Sequence, residues 1–216
     1  MTKARFDSAQ LPTAPDFSYE ISLWSGGLRY VAGIDEAGRG ALAGPVTAAA
    51  LLFPPDPDLP ASLQGVRDSK QMTPVERAFW AGRLRILALS WGIGFASHQE
   101  IDALGIVPAT RLAVQRALAH LQIPPQHLLV DFLELPECGI PYTPLVKGDA
   151  RCLSIAAASI LAKTARDAFL CQMDTEHPGY GFAAHKGYGT AAHREAIHRL
   201  GPCPIHRLSF KPLTRN

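Results

Sequence analysis

The sequence is poor in cysteine and contains no long apolar run. Its four cysteines, among 216 residues, include no pair spaced Cys-x-x-Cys, which argues against a zinc ribbon or a redox motif. The richest apolar stretch, residues 154–162, ends at Lys163 and is far shorter than the roughly 18 residues of a membrane span. A disulfide scaffold and a membrane protein are therefore excluded. The cysteines are expected to be reduced thiols in the cytoplasm.

Charge is also limited, and it is unevenly spread. Charged residues make up 19% of the chain, and the net charge is +2. Residues 147–216 carry ten Lys or Arg against five Asp or Glu, whereas residues 1–146 carry eleven against fourteen. A basic C-terminal third can bind a polyanion, although an ordinary solvated face explains the same excess.

Apolar runs alternate with helical patterns along most of the chain, which predicts an α/β domain. The leader, residues 1–28, is polar and expected to be loosely ordered. Residues 29–216 are predicted to form one domain, with a basic helical segment from about residue 177. Strands are predicted at residues 30–35, 46–53, 91–96 and 127–132. Helices are predicted at residues 74–89, 108–121, 154–173 and 191–200, with a further short one beginning near Ser97 and a Gly-rich loop at residues 178–190. Thr73 and Glu76 predict a capping box at the start of the first helix, and the small residues on one side of the long helix permit close packing.

The densest motif is Gly-Ile-Asp-Glu-Ala-Gly-Arg-Gly at residues 33–40. Asp35 and Glu36 end a buried apolar strand, where two carboxylates are unfavourable unless a cation meets them. Asp131 ends a second apolar run, and Asp149 precedes the long helix. A lone Asp-Glu pair is usually a solvated turn. Acids at several strand and helix ends instead converge at one sheet edge, where they can bind hard divalent cations.

Taken together, the motifs resemble ribonuclease HII, the type 2 ribonuclease H family of bacteria. The resemblance covers about residues 30–211. It rests on the order and spacing of motifs at residues 33–40, 42–46, 68–70, 101–102, 109–110, 128–131, 147–149, 159–163, 166–167, 185–190, 206–207 and 209–210. Three positions depart from the family pattern. Ala41 replaces a usual proline, Gly105 a common asparagine, and Phe132 a glycine, so that Phe132 could crowd or reorient Asp131.

The resemblance implies a ribonuclease H-like fold: a central mixed β-sheet flanked by helices, with a small helical C-terminal segment. It also implies that Asp35, Glu36, Asp131 and Asp149 form a catalytic site for two Mg²⁺ or Mn²⁺ ions. The expected activity is hydrolysis of the RNA strand of RNA/DNA hybrids. Incision on the 5′ side of ribonucleotides embedded in duplex DNA is also expected, leaving a 5′-phosphate and a 3′-hydroxyl. Such an enzyme removes ribonucleotides and RNA primers from DNA.

The resemblance further implies a nucleic-acid interface on a monomer. The backbone of Gly38, Arg39 and Gly40 would read the ribose 2′-hydroxyl, and Tyr188 would stack on a sugar next to the scissile bond. Further contacts are implied for Lys70, Thr110, His185 and Lys186. Each has a simpler explanation, because a lone Lys or Thr is usually ordinary surface and a tyrosine in a Gly-rich loop is usually a half-buried ring.

Three alternatives compete with this interpretation. A dinucleotide-binding oxidoreductase would use Gly38, Gly40 and Asp58, but Asp58 lies in a proline-rich loop and the other acids are left without a role. A noncatalytic nucleic-acid-binding module does not explain buried acids, which repel phosphate. The sister family, ribonuclease HIII, carries an extra N-terminal domain for which the leader is too short.

Overall fold

The structure, a computed structural model, describes residues 11–136 and 138–213. The strands are β1 (Val31–Ala37), β2 (Val46–Leu52), β3 (Ser90–Ala96), β4 (His127–Asp131) and β5 (Tyr142–Leu145). The helices are α1 (Ser18–Ser25), α2 (Leu59–Ser62), α3 (Pro74–Leu87), α4 (His98–Leu104), α5 (Ile106–Ala119), α6 (Leu153–Glu176), α7 (Phe182–His185) and α8 (Ala191–Leu200). Short 3₁₀ turns occupy Ser69–Gln71 and Gly148–Ala150.

The five strands form one sheet in the order β3-β2-β1-β4-β5. Strand β4 runs parallel to both of its neighbours, β1 and β5. Every residue of β2 is buried, as expected for a strand inside a covered sheet. The sheet and its flanking helices confirm the predicted architecture of a central mixed β-sheet flanked by helices.

The chain divides into two compact units. The first contains residues 1–35, 50–91 and 121–160, and the second contains residues 36–49, 92–120 and 161–216. The core of the first includes a cluster around Leu129, Cys152 and Ile155. The core of the second includes a cluster around Leu170, Phe182 and Ile205.

Small residues let helix α6 approach β1 within the first unit. A Cβ at Gly33 would overlap the backbone of Ser154, so a side chain at this position would force the helix away from the strand. The turn of α6 that follows contains Ala156, Ala157 and Ala158, all fully buried. This packing confirms the close approach predicted from the small residues of the long helix.

Local capping fixes the start of two helices. Thr73 accepts a hydrogen bond from the Glu76 amide, and the Glu76 carboxylate accepts one from the Thr73 amide. This reciprocal pair confirms the capping box predicted at the start of α3. Ser97 and Glu100 form the same arrangement at the start of α4.

The leader departs from the sequence-based expectation. Residues 1–10 lie outside the described segments, but the prediction of loose order is wrong for residues 11–28, which contain helix α1. Glu20, on α1, is fully buried and accepts a 2.8 Å hydrogen bond from the Ser154 amide. Asp16 accepts another from the Leu153 amide at 2.9 Å. These bonds to the first turn of α6 order the segment, and burial raises the pKa of Glu20.

Several smaller features also differ from prediction. Strand β5 was not predicted, because Pro144 interrupts a short, partly exposed run at the sheet edge. Helix α7 lies inside residues 178–190, which were expected to be a loop. Helix α8 has the predicted bounds. Among the described residues, no helix is long and apolar enough to cross a membrane. Cys138, Cys152, Cys171 and Cys203 are free thiols.

Candidate metal centre

The register of β1 and β4 determines where the first two acids lie. Ile34 is paired with Val130 across the parallel strands. The next residues along the two strands are Asp35 and Asp131, so both acids lie where the pairing ends. Ligand sites of open α/β sheets form at such carboxyl ends of strands.

The third acid reaches the same place from the 3₁₀ turn before α6. The Gly148 amide donates a 2.7 Å hydrogen bond to Oδ1 of Asp131, which ties this turn to the end of β4. One carboxylate oxygen from each of Asp35, Asp131 and Asp149 lies within 4.8 Å of the others. Asp35 and Asp149 are buried, and Asp131 is half-buried. We call these three residues the acid cluster.

The acids of the cluster repel one another, and one lysine offsets part of the charge. Burial raises the pKa of Asp131, and the charge of Asp149 raises it further, against the opposing effects of the Gly148 amide and Lys70. Lys70 Nζ donates a 3.1 Å hydrogen bond to Oδ2 of Asp149 and lies 3.8 Å from Oδ1 of Asp68. Burial lowers the pKa of Lys70, but the charges of these acids outweigh that effect and raise it above its ordinary value.

The acid cluster fits a hard divalent cation. All of its donor atoms are carboxylate oxygens, the ligands that Mg²⁺ and Mn²⁺ prefer. Two oxygens bound to one Mg²⁺ lie at most about 4.2 Å apart, so carboxylates whose oxygens are within 4.8 Å need only a small side-chain adjustment to share an ion. A Cβ at Gly148 would lie 2.6 Å from Ile155 Cδ1 and 3.4 Å from Oδ1 of Asp131. The position therefore excludes a side chain that would fill the site.

The fourth predicted acid, Glu36, lies outside this cluster. Its Oε1 accepts a 3.1 Å hydrogen bond from Arg39, and its side chain is 10% exposed. Both residues belong to the second unit. The structure thus brings three of the four predicted acids together and pairs Glu36 with Arg39.

A buried arginine holds the loop that follows β1. We call this segment, residues 38–45, the glycine loop. Gly38 has φ of 91°, a backbone conformation that favours glycine. The fully buried Arg207 donates hydrogen bonds of 2.8–2.9 Å to the carbonyls of Gly38, Arg39 and Gly44. A Cβ at Gly38 would overlap the side chain of Arg166. Burial and the charge of Arg166 lower the pKa of Arg207 to about 9.

Arg166, on α6, holds the same loop and the one that carries Tyr188. It is fully buried and donates to the carbonyls of Ala43, Pro45 and Lys186 at 2.9–3.0 Å. Its Cζ lies 5.3 Å from the ring centroid of Tyr188, within the range of a cation–π interaction. Burial lowers the pKa of Arg166, with Tyr188 opposing the shift.

The loop at 185–190 is tied to the glycine loop by its backbone. Ala41 and Tyr188 form an antiparallel bridge, and the Leu42 amide donates a 2.8 Å hydrogen bond to the Gly187 carbonyl. Tyr188 remains 36% exposed, and Lys163 Nζ lies 5.7 Å from its ring centroid. The predicted residues Gly38, Arg39, Gly40 and Tyr188 therefore belong to one connected substructure of the second unit.

Three other predicted contacts are engaged within the protein. Thr110 is fully buried, and its hydroxyl donates a 2.7 Å hydrogen bond to the Ile106 carbonyl one turn earlier. A side chain that is fully buried and bonded to its own helix contradicts the predicted phosphate contact of Thr110. The His185 ring bonds to the backbone of its own loop. Lys186 has φ of 51°, and its Nζ donates to the Ala183 carbonyl.

Arg166 and Arg207 are the main site residues whose position the sequence did not reveal. Both lie within motifs that carried the resemblance, but an arginine is usually exposed, and their partners are backbone carbonyls. Arg207 was counted with the basic surface, and its burial removes it from that surface. The signal that could have identified it is its place beside a histidine in an otherwise apolar C-terminal motif.

Comparisons with known proteins agree with the fold. Residues 32–213 match the family model described as Ribonuclease HII. The curated Ribonuclease HII of Synechococcus sp. (strain JA-3-3Ab) is 55% identical over 199 residues, which cover 92% of this chain and 89% of the relative. The crystal structure of the ribonuclease H2 from Pyrococcus horikoshii OT3 is 25% identical with a TM-score of 0.71, over 85% of this chain and 94% of that one. The crystal structure of Bst-RNase HIII in complex with Mn²⁺ shares the fold at 18% identity and a TM-score of 0.65, over 86% of this chain and 68% of that one.

A mixed sheet flanked by helices, with three carboxylates gathered where its parallel strands end, defines a metal-dependent hydrolase of the ribonuclease H type. Within that class, the chain belongs to the ribonuclease HII family. It is an endoribonuclease that acts on RNA/DNA hybrids, and its cofactors are divalent Mn²⁺ or Mg²⁺ ions. This assignment confirms the family, activity and cofactor class expected from the sequence motifs.

Proposed function

We propose that this endonuclease incises duplex DNA on the 5′ side of an embedded ribonucleotide, in addition to cutting the RNA strand of hybrids. The products are a 5′-phosphate and a 3′-hydroxyl, and the reaction serves removal of ribonucleotides and RNA primers from DNA. The observation that supports this most directly is the acid cluster, whose three carboxylates have oxygens within 4.8 Å. Such a cluster serves phosphoryl hydrolysis once cations offset its charge.

We further propose that Asp35, Glu36, Asp131 and Asp149 hold two divalent ions. Ions bound there supply activation of a water molecule and stabilisation of the charge that develops during displacement at phosphorus. The Gly148 amide orients Asp131, because it occupies Oδ1 with a 2.7 Å bond. The side chain of Lys70 is 73% exposed, and it contributes a positive charge beside Asp149 that can also meet a phosphate of the substrate.

The glycine loop is proposed to recognise the ribose. The Gly38 and Arg39 carbonyls are held by Arg207, so the loop is rigid before substrate arrives. Around Gly40, a Cβ would meet nothing within 4 Å, which leaves open space for a ligand to approach the backbone. A backbone group that hydrogen-bonds to the 2′-hydroxyl is left unpaired on an all-DNA substrate, at a cost of about 1–3 kcal/mol.

Tyr188 would recognise the step from RNA to DNA. Its exposed ring can pack against the sugar on the 3′ side of the ribonucleotide when that sugar lacks a 2′-hydroxyl. Arg166 and Lys163 lie near the ring, at 5.3 and 5.7 Å from its centroid, and limit its movement. His185 and Lys186 belong to the same loop and are proposed to help bind the nucleic-acid backbone.

Residues 29–216 act as the catalytic domain, and the exposed basic residues of the C-terminal segment follow the phosphates of the duplex. The protein works as a monomer in the cytoplasm on RNA/DNA hybrids and ribonucleotide-containing duplexes. Its free cysteines are compatible with a reducing compartment.

Cleavage of three matched duplexes tests the proposed function. One strand, labelled at its 5′ end, contains a run of ribonucleotides, a single ribonucleotide or deoxyribonucleotides alone. With Mg²⁺ or Mn²⁺, the first two are expected to be cut and the third left intact. Incision at the single ribonucleotide should fall on its 5′ side, leaving a labelled product that a polymerase can extend from its 3′-hydroxyl. Cleavage of the hybrid alone would reject the activity on embedded ribonucleotides.

A further inference from the structure

Three histidines lie together behind the loop that carries Tyr188. The rings of His185 and His193 are stacked with centroids 4.2 Å apart, and His206 lies 5.2 Å from His193. His193 and His206 are buried, and Phe182 packs against all three rings. The metal chemistry described above does not use them. We call these residues the histidine cluster.

Hydrogen bonds fix the proton positions on two of these rings. The Cys203 amide donates a 2.9 Å hydrogen bond to Nδ1 of His206, so His206 carries its proton on Nε2. That atom lies 3.1 Å from Nε2 of His193, which must accept. His193 therefore carries its proton on Nδ1, from which it donates to the Tyr188 carbonyl at 3.0 Å.

The chain of bonds has one permitted direction. If His206 instead donated from Nδ1 to the Cys203 carbonyl, its Nε2 would accept a proton from His193. Nδ1 of His193 would then be an acceptor facing the Tyr188 carbonyl, which is also an acceptor. The carbonyl at the end therefore determines both tautomers. A positive charge on His193 would set its Nε2 N–H against that of His206. A positive charge on His206 would set its Nδ1 N–H against the Cys203 amide.

We propose that His193, oriented by His206, is a positioning residue that holds Tyr188 for recognition of the RNA-to-DNA step. The inference rests on the role proposed above for Tyr188. The Tyr188 carbonyl also accepts a 2.8 Å hydrogen bond from the Thr190 amide. His193, on helix α8, supplies the second hydrogen bond to the same carbonyl. Arg166 restricts the ring of Tyr188, and His193 restricts its main chain.

His185 supports the same loop through two hydrogen bonds. The Gly187 amide donates to its Nδ1 at 3.2 Å, so its Nε2 carries the proton and donates to the Tyr180 carbonyl at 2.8 Å. Its stack against His193 is compatible with two uncharged rings. A charge on one would be unfavourable beside the other.

The surroundings keep the two buried rings neutral. Burial, together with the smaller effects of the neighbouring His185 and His206, lowers the pKa of His193 to about 4. Burial also lowers the pKa of His206, which His177, His185 and His98 face. The unfolded chain takes up protons near pH 6.5. The contribution of the two neutral rings to the stability of the fold is therefore complete above that pH. It is lost as the pH falls through their folded pKa values.

The kinetic test compares variants that break the hydrogen-bond chain with variants that keep it. His206→Ala breaks it, whereas His206→Gln keeps a donor near the Nε2 position and cannot titrate. His193→Asn likewise keeps a donor near Nδ1. His198→Ala, on an exposed position of the same helix, is the control. The values of kcat and KM are measured on the single-ribonucleotide duplex and on the long hybrid, with Tm recorded for each variant.

We expect His206→Ala to lower kcat/KM on the single ribonucleotide at least about tenfold more than on the hybrid. His206→Gln, His193→Asn and His198→Ala should keep the wild-type ratio within about twofold. Equal losses on both substrates for His206→Ala, with Tyr188→Ala selective, would overturn the positioning role. If Tyr188→Ala itself is unselective, the role proposed for Tyr188 fails instead.

A second measurement reads the geometry without activity. NMR of the imidazole nitrogens in the wild-type protein at neutral pH should show His193 protonated on Nδ1 and His206 on Nε2. Both rings should remain neutral when the pH is lowered past about 6.5, where an exposed histidine gains its proton. The opposite tautomer at His193, or a charged ring at neutral pH, would overturn the inference even if a variant fails to fold.

Discussion

The Gly148 amide donates a 2.7 Å hydrogen bond to Oδ1 of Asp131, and so joins the turn that carries one acid to the strand that ends in another. Asp149 follows Gly148 directly. The relative position of the two carboxylates is therefore set by main-chain geometry rather than by flexible side chains. Such preorganisation is what a site for hard cations requires, because the ligands must hold their place against mutual repulsion.

Gly148→Ala should disturb the acid cluster. The new Cβ would lie 2.6 Å from Ile155 Cδ1 and 3.3 Å from Leu145 Cβ, so either the Ile155 side chain or the turn that holds Asp131 must shift. We expect a loss of about 1–3 kcal/mol in the free energy of unfolding and a fall in cleavage rate of at least about tenfold. Denaturant unfolding and single-turnover cleavage measure these two effects.

Gly82→Ala is the matched control for that change. Gly82 lies on an exposed position of α3, and a Cβ there meets nothing within 4 Å. Its substitution should stabilise the protein by about 0.5–1 kcal/mol through helix propensity and leave cleavage unchanged. If Gly148→Ala behaves like Gly82→Ala, the turn does not position Asp131.

Phe132→Gly should stabilise the protein. Phe132 follows Asp131 with φ of 41°, in the left-handed region, and its side chain is 63% exposed. A non-glycine residue in this conformation costs about 1–2 kcal/mol. Phe132→Ala removes the ring but keeps the Cβ, so it retains the strain. The glycine variant should exceed the alanine variant by about 1 kcal/mol in unfolding free energy. Equal stabilities would show that the backbone is not strained there.

Salt dependence should identify the phosphate-binding cations of the C-terminal segment. Arg194 and Arg199 are exposed on α8, so charge reversal at either should weaken binding. On B-form DNA, each lost phosphate contact should reduce the slope of log K against log salt by about 0.9. Arg83→Glu, on α3, is the control and should leave the slope unchanged. If both α8 variants keep the wild-type slope, the basic residues of the C-terminal segment are an ordinary solvated surface and do not bind phosphate.

Tyr188→Ala should reduce cleavage at a single ribonucleotide far more than cleavage of a long hybrid. The ring is expected to pack against a deoxyribose on the 3′ side, and a long hybrid offers no such sugar at most positions. We expect the two values of kcat/KM to diverge by at least about tenfold. Tyr188→Phe keeps the ring and should retain the preference if packing carries it. Equal losses on both substrates would assign Tyr188 a general binding or structural role.

Much of the fold and of the candidate metal site was predictable from the sequence. Asp35 and Asp131 end apolar runs, and parallel strands bring their carboxyl ends to one edge. The capping box at Thr73 and the bounds of α8 followed from local residue types. These features depend on interactions between near neighbours in sequence or on strand periodicity, both of which leave a direct pattern.

Other features left no such pattern. Arg207 donates to carbonyls more than 160 positions away, and a carbonyl is present at every residue. Thr110 satisfies its hydroxyl on its own helix, which its neighbours in sequence do not reveal. Helix α1 is ordered by the buried Glu20 at the start of α6, and this contact joins residues 134 positions apart. Long-range partners of polar groups are thus the part of the structure that sequence patterns predicted least.

Asp131 is the member of the acid cluster whose substitution is expected to separate metal binding from folding. Burial and the charge of Asp149 raise its pKa, so its ionised form is held at a cost to the metal-free fold. This unfavourable contribution to folding is present above the folded pKa of Asp131 and disappears as the pH falls below it. Asp131→Asn should therefore leave the metal-free Tm unchanged or higher.

Parallel titration of Mn²⁺ into wild-type protein and Asp131→Asn, with cleavage of the single-ribonucleotide duplex measured on the same samples, tests the account most directly. Wild-type protein should bind Mn²⁺ and cut only when a divalent ion is present. Asp131→Asn should remain folded, bind Mn²⁺ more weakly and lose at least about a hundredfold in rate. Near wild-type cleavage by a folded Asp131→Asn, or wild-type cleavage in excess chelator, would contradict the assignment of the acid cluster as the metal centre.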